Sequence, residues 1–151
     1  MRDEPLTGVP LTGAGDFIAQ VGGEGRLRTD KPGSAGRAFS HWNYLGHRVS
    51  WQIQVPQAGR YHLAFRYANS FGAVAERSLL VDDKALPGAE RVQFPPLGTV
   101  LDEWATLPVK RADGTLAVWE LAAGAHRITM ENTNDCWLNL DQLAFVPVGE
   151  A

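Results

Sequence analysis

The chain has 151 residues, of which 44% are hydrophobic and 9% aromatic, and its formal net charge is −3. This length is typical of one compact domain that can bury a sizeable core. The 14 basic residues are scattered along the chain. An acidic protein without a basic patch is not expected to bind nucleic acid or an anionic membrane surface.

The N-terminal segment, residues 1–16, is rich in Gly, Pro and Thr and has no hydrophobic periodicity. This composition predicts a linker or a flexible arm. The segment lacks the apolar stretch of a signal peptide, and no later segment approaches the roughly 20 apolar residues of a membrane span. These features leave open a cytoplasmic protein or a piece of a larger one. We expect a single folded domain over residues 17–151.

Alternation of apolar and polar residues predicts β-strands through the rest of the chain. RVSWQIQV, residues 48–55, alternates strictly, and RYHLAFRYA, residues 60–68, does so again after the short turn PQAG. The short turn predicts that these two strands are antiparallel neighbours. After a first strand near residues 16–25, the same pattern predicts further strands at 77–82, 90–94, 104–109, 116–121, 125–131 and 137–147.

Helices are not predicted beyond single turns. No window of a dozen residues has apolar residues at helical spacing without an intervening Gly or Pro. The pair Asp82 and Asp83 reads as a hairpin turn. Eight or more short strands separated by turns predict an all-β sandwich or barrel.

The segment WLNLDQLAF, Trp137 to Phe145, contains an acid within an apolar strand. Alternation puts Asp141 on the same strand face as Leu143 and Phe145, and the same parity predicts that Trp137 belongs to the core. A buried carboxylate needs a hydrogen-bond donor or a cation. The sequence therefore predicts a satisfied polar site around Asp141.

Three phrases, VPQAGRYHLAFRYAN, LAAGAHRI and the closing NLD before an apolar strand, occur in this order along the chain. In their order and spacing they resemble the carbohydrate-binding modules of families 6 and 35, over residues 17–148. The resemblance implies a jelly-roll β-sandwich of two antiparallel sheets with no catalytic activity. It also implies binding of a polysaccharide or oligosaccharide, and covalent attachment to a polysaccharide-active, extracellular enzyme of a bacterium. We expect such a module to be a monomer.

The resemblance further implies a structural calcium ion, bound by acids of the first strand and by Asp141. Ile18 and Gln20 stand where two glutamates are expected. Gln20 can still offer an oxygen, but a site with less negative charge should bind calcium more weakly. The alternative is that Asp141 accepts hydrogen bonds from loop amides and needs no metal.

Sugar recognition requires exposed aromatic rings that stack on pyranose rings and amides that bond the hydroxyl groups. The loop SHWNYLGH offers Trp42, Asn43 and Tyr44. The resemblance adds Asn134 or Asn139 from the last loop and Trp104 as a second aromatic. Packing against the sandwich is the alternative for Trp42 and Tyr44, and core packing is the alternative for Trp104. The loop at residues 69–71 would form an adaptable rim.

An enzyme is not expected, because the sequence contains none of the common nucleophile, zinc, phosphate-binding or dinucleotide motifs. Cys136, the single cysteine, is predicted to be a buried free thiol. The alternative to sugar binding is a β-sandwich spacer or protein-interaction module of a larger extracellular enzyme. Exposure of Trp42 and Tyr44 would favour sugar binding over the spacer.

Overall fold

The computed structural model describes residues 4–98 and 103–148. Within them the chain forms twelve strands and a single turn of 3₁₀-helix (Ala14–Asp16). The strands are β1 (Leu11–Gly13), β2 (Ala19–Val21), β3 (Arg26–Arg28), β4 (Ala38–Ser40), β5 (Arg48–Val55), β6 (Gly59–Ala68), β7 (Ala75–Val81), β8 (Arg91–Phe94), β9 (Ala105–Pro108), β10 (Trp119–Leu121), β11 (Gly124–Asn132) and β12 (Asn139–Pro147). No helix in this part of the chain is long and apolar enough to cross a bilayer.

The strands form two antiparallel sheets. The seven-stranded sheet has the order β10-β6-β12-β4-β3, with β1 also paired to β12 and β9 also paired to β6. The five-stranded sheet has the order β2-β5-β11-β7-β8. The predicted jelly-roll β-sandwich of two antiparallel sheets is therefore confirmed.

The main core lies between the sheets. The predicted apolar face of β5, Val49, Trp51, Ile53 and Val55, is at most 2% exposed, as strict alternation predicts. However, β5 pairs with β2 and β11 while β6 lies in the other sheet, so the predicted pairing of these two strands is wrong. Alternation identifies the apolar face of a strand but not its neighbour, and these two strands belong to opposite sheets.

The sandwich begins before Phe17. Strand β1 pairs with β12, Ala14 and Gly15 are buried, and the Trp51 indole Nε1 donates a hydrogen bond to the Ala14 carbonyl at 2.7 Å. The prediction of a flexible arm is therefore wrong for residues 11–16. The described residues do not include residues 1–3 of the predicted arm or residues 99–102 and 149–151 of the predicted domain.

The turn after β7 follows the sequence prediction. Asp82 and Asp83 both have positive φ, 53° and 64°, and the backbone of Val81 bridges to Lys84. Two successive positive φ angles are the signature of a type I′ hairpin turn, which Asp tolerates better than most residues.

Candidate functional site

A cleft of about 460 Å³ opens at one end of the sandwich. Four connections and the strand ends beside them line it: β3–β4 with Arg28 and Lys31, β4–β5 with residues 41–43, β6–β7 with residues 69–71, and β11–β12 with residues 137–139. Because loops carried by both sheets meet there, the rigid sandwich fixes the relative position of the cleft walls.

Two stacked aromatic rings form one wall of this cleft. The ring centroids of Phe71 and Trp137 are 6.0 Å apart, their planes differ by 25°, and the two residues are 51% and 58% exposed. The prediction that Trp137 is a core residue is wrong. Strand β12 begins only at Asn139, and its pairing with β6 shifts register between Leu140 and Gln142, so alternation cannot be extended back to Trp137.

Amide side chains accompany the aromatic wall. Asn43 and Asn139, both predicted to bind sugar, line the cleft and are partly exposed. Asn69 is buried instead, and its Nδ2 donates to the carbonyls of Ala73 at 2.8 Å and Phe94 at 3.0 Å. Its Oδ1 accepts a hydrogen bond from Phe71 N at 3.0 Å, so Asn69 holds the loop that presents Phe71.

Trp42 and Tyr44 do not form the predicted platform. Trp42 is 1% exposed, makes edge contacts with Phe39 and Trp51, and donates its indole hydrogen bond to the His47 carbonyl at 3.0 Å. It closes the floor of the cleft from inside the core. Tyr44 is 60% exposed, but it is not among the residues that line the cleft.

Two further sugar-binding candidates lie away from the cleft. Trp104 is 1% exposed, and its indole Nε1 donates to the Pro32 carbonyl at 2.9 Å. Asn134 is exposed, but its Oδ1 accepts from Glu76 N at 3.0 Å and its Nδ2 donates to the Val74 carbonyl at 2.8 Å. Trp104 therefore packs beneath the β3–β4 connection, and Asn134 links the β11–β12 connection to the start of β7. Neither prediction of direct sugar contact agrees with these positions.

Asp141 is fully buried, and an arginine supplies the cation that its carboxylate requires. Arg66 Nη1 donates to Asp141 Oδ2 at 2.6 Å, and Ala35 N donates to both carboxylate oxygens at 2.9 and 3.0 Å. Arg66 Nη1 also donates to the Gly33 carbonyl at 2.9 Å. The predicted loop amide is present, and the ion pair adds a second anchor for the loop between β3 and β4.

The two predicted calcium ligands do not fit a calcium site. Gln20 Oε1 accepts hydrogen bonds from Gly25 N at 2.8 Å and from His47 Nε2 at 2.9 Å. Asp141 is paired with the guanidinium of Arg66, and the positive charge of this guanidinium would repel a divalent cation. Calcium takes 6–8 oxygen ligands, whereas no group of three or more His, Cys, Asp or Glu side chains is placed to hold a metal among the described residues.

Two basic side chains, Arg28 and Lys31, line the cleft at the β3–β4 connection. Arg28 donates to Asp30 at 2.8 and 3.0 Å. Burial lowers the pKa of His41, and the nearby cations Arg26, Arg28 and Lys31 lower it further, so the imidazole is neutral at pH 7. A neutral ring nitrogen at the cleft can exchange hydrogen bonds with a hydroxyl group.

The aromatic pair is the part of the site that the sequence prediction missed. Phe71 was predicted only as part of a rim, and Trp137 as core. The turn-forming run Asn132-Thr-Asn-Asp135, which ends two residues before Trp137, could have identified this tryptophan as a loop residue. Such a run delays the start of a strand.

No family model matches the chain. The cycloisomaltooligosaccharide glucanotransferase of Niallia circulans is 31% identical over 119 residues, which are 76% of this chain and 11% of the relative. The exo-β-D-glucosaminidase of Amycolatopsis orientalis is 31% identical over 106 residues, which are 70% of this chain and 9% of the relative. The chain thus spans about a tenth of the curated relatives it matches.

Solved structures share the fold over nearly the whole chain. A family 35 carbohydrate-binding module from Clostridium thermocellum matches with a TM-score of 0.73 and 21% identity, over 94% of this chain and all of that one. A cycloisomaltooligosaccharide glucanotransferase of Paenibacillus sp., complexed with cycloisomaltoheptaose, matches with a TM-score of 0.71 and 24% identity, over 89% of this chain and 18% of that one. The chain therefore has the β-sandwich fold of the family 35 and family 6 carbohydrate-binding modules.

Proposed function

We propose that this chain is a non-catalytic carbohydrate-binding module that holds an attached polysaccharide-active enzyme on its substrate. The observation that carries the proposal is the exposed Phe71–Trp137 pair in a cleft also lined by Asn43 and Asn139. The likeness to carbohydrate-binding modules in fold supports it independently.

The chemistry of the cleft suits a neutral, hydroxyl-rich ligand. The faces of the Phe71 and Trp137 rings offer flat apolar area for the C–H faces of a pyranose ring. The amides of Asn43 and Asn139 each carry donors and an acceptor, which match the dual character of a sugar hydroxyl. The cleft lining contains no Asp or Glu among the described residues, so a glycosidase-type carboxylate pair is not assembled there.

The relatives suggest which sugars to try first. One is named for cycloisomaltooligosaccharides and the other for glucosamine. We therefore propose isomalto-oligosaccharides as the first ligands, and glucosamine oligosaccharides at a pH where their amines are uncharged, because the described cleft lining contains Arg28 and Lys31 and no Asp or Glu. Both relatives are enzymes about ten times as long as the matched segment. We therefore also propose that the module acts within a larger secreted bacterial enzyme. We further propose that the module is monomeric.

Calorimetric titration with these oligosaccharides, followed by a wider polysaccharide panel in affinity electrophoresis, tests the proposal. A single site on a surface cleft should bind with a dissociation constant of about 1 μM to 1 mM. Trp137→Ala should weaken binding by about fivefold or more, because truncating an aromatic ring that stacks on a ligand costs roughly 1–3 kcal/mol. The matched control is Tyr44→Ala, which removes an equally exposed ring outside the cleft and should leave the affinity unchanged.

The spacer alternative makes the opposite prediction. The burial of Trp42 favours the spacer role, because Trp42 was the first aromatic residue predicted to stack on a sugar. If the folded protein binds no member of the panel, the spacer or protein-interaction role replaces sugar binding. If Trp137→Ala binds a sugar as well as the parent does, the sugar site lies outside this cleft.

A further inference from the structure

A buried arginine joins two of the connections that line the cleft, β4–β5 and β11–β12. Arg77, in β7, is 0% exposed. Its Nη2 donates to the carbonyl of Trp42 at 2.9 Å and to the carbonyl of Cys136 at 2.7 Å. These carbonyls belong to the residues immediately before Asn43 and Trp137, so one guanidinium group holds the backbone on both sides of the cleft.

The same guanidinium group also fixes the turn that leads to Trp137. Arg77 Nη1 donates to Asn132 Oδ1 at 3.2 Å. That oxygen also accepts hydrogen bonds from Asn134 N at 3.2 Å and Asp135 N at 2.9 Å. The position of the turn therefore depends on one amide oxygen whose orientation Arg77 helps to set.

The environment of Arg77 is unusual for a charge that only stabilises a fold. The guanidinium lies over the Trp42 ring, 4.3 Å from its centroid, and its hydrogen bonds go to carbonyl oxygens and an amide instead of a carboxylate. Burial lowers its pKa to about 9, so it remains cationic at neutral pH. Burying a charge without a counter-ion is costly, and an apolar side chain of similar volume would often serve stability as well.

We propose that Arg77 is a positioning residue that preorganises the sugar-binding cleft, by tying the Trp42 and Cys136 carbonyls and the Asn132 amide to one buried group. This proposal rests on the proposed function for the identity of the ligand, and on the structure alone for the ordering of the loops. Preorganised loops do not have to lose conformational freedom when a ligand binds, which raises affinity.

Arg77→Met tests the proposal, because it keeps an apolar stem under Trp42 and removes all the donors. Hydrogen exchange measured by mass spectrometry should become faster in segments 41–46 and 133–138 and stay unchanged in the strands. The affinity for the oligosaccharide identified by titration should fall by about tenfold or more. Arg77→Lys, which keeps the charge and can reach fewer carbonyls, should lie between the parent and Arg77→Met.

The matched control is Leu79→Ala, on the same strand and 1% exposed. It should lower the melting temperature without changing exchange in the two loops or the affinity of the folded protein. If Arg77→Met does not fold, Asn132→Ala, which removes the shared amide oxygen, should give the same local increase in exchange.

Two results decide the proposal separately from the proposed function. Unchanged exchange in both loops of the folded Arg77→Met or Asn132→Ala proteins overturns the positioning role, and so does an affinity loss no larger than that of Leu79→Ala. If the parent binds no saccharide, the proposed function fails, and the exchange contrast alone then decides whether Arg77 orders the loops.

Discussion

At the scale of single residues, exposure separates two tryptophans that border the same cleft. Trp42 is 1% exposed and Trp137 is 58% exposed. Trp42 contributes its area to the core through Phe39 and Trp51, whereas most of the Trp137 ring remains available to a ligand. The two side chains should therefore affect different measurements when they are removed.

Trp42→Ala should destabilise the fold by about 3–5 kcal/mol, the usual cost of removing a large buried aromatic side chain. Trp137→Ala should change the free energy of unfolding by no more than about 0.5 kcal/mol, as is usual for exposed positions. Guanidinium denaturation followed by circular dichroism measures both values. Equal destabilisation by the two substitutions would contradict the assignment of Trp42 to the core and of Trp137 to the ligand wall.

Residue-level sequence reasoning identified the need for a partner of Asp141 but not the partner itself. Alternation along residues 60–68 puts Arg66 on the strand face opposite Leu63 and Phe65, which is the face expected to meet solvent. In the structure the outer face of β6 and β12 is covered by the loop between β3 and β4, so Arg66 and Asp141 are both 0% exposed. Alternation gives the two faces of a strand, but it does not show that a distant loop covers the second face.

At the scale of elements, the Arg66–Asp141 pair attaches the β3–β4 connection to the seven-stranded sheet. Asp141→Asn should destabilise the protein by about 3–5 kcal/mol, because it removes the carboxylate charge that pairs with the buried Arg66 guanidinium at 2.6 Å. Thermal melting measures the loss. Since arginine and not calcium neutralises the carboxylate, a chelator should leave the melting temperature of the parent unchanged.

The double substitution Arg66→Met with Asp141→Leu is the control for this prediction. It removes both charges together and should recover much of the stability lost in Asp141→Asn. A parent melting temperature that falls on addition of a chelator would show that a metal ion stabilises the fold and would contradict the arginine assignment.

A second contact between elements makes stability depend on pH. His126 Nδ1 lies 2.6 Å from Asp82 Oδ2, and His126 Nε2 lies 2.7 Å from the Ala122 carbonyl. Both ring nitrogens face acceptors, so the doubly protonated ring satisfies both. Burial opposes protonation, but the hydrogen bonds to Ala122 and Asp82 and the Asp82 charge outweigh it, and the pKa of His126 is raised above its ordinary value of 6.5.

The stabilisation from His126 should be complete below pH 6.5 and should be lost as the pH rises through the raised pKa, because the folded state then releases the proton that it binds more tightly than the unfolded state. Melting temperatures of the parent and His126→Gln, measured from pH 5 to 9, should therefore converge at high pH. The difference between the two proteins isolates this effect from His47, whose pKa is lowered by burial and by Arg77. A constant difference across the range would contradict the prediction.

Every strand of four or more residues could be predicted from the sequence, whereas three of the three-residue strands could not. Strands β5 and β6 have apolar faces of four alternating residues, and their positions were predicted to within a residue. Strands β1, β3 and β4 have three residues each, too few for a period of two to stand out. The candidate site depends on loop conformations and on a register shift in β12, which single-sequence periodicity does not encode.

At the scale of the whole molecule, the two sheets act as a rigid support and the cleft occupies one end. Residues of the cleft come from four connections distributed along the chain, from Arg28 to Asn139. Forming the cleft therefore requires the complete sandwich. In the proposed function the chain performs no bond-breaking step, so its effect on an attached enzyme must come from binding alone.

Fusing the chain to a catalytic domain that cleaves the bound sugar tests this expectation. Binding to a polymer keeps the enzyme at a high effective concentration near its substrate, so activity on the insoluble polymer should rise several-fold at low enzyme concentration. Activity on a soluble oligosaccharide too short to bridge both sites should not change. The fusion carrying Trp137→Ala should lose the gain on the polymer and keep the activity on the oligosaccharide, and initial rates on the two substrates measure both. A gain that survives Trp137→Ala would show that the enhancement arises from something other than the cleft.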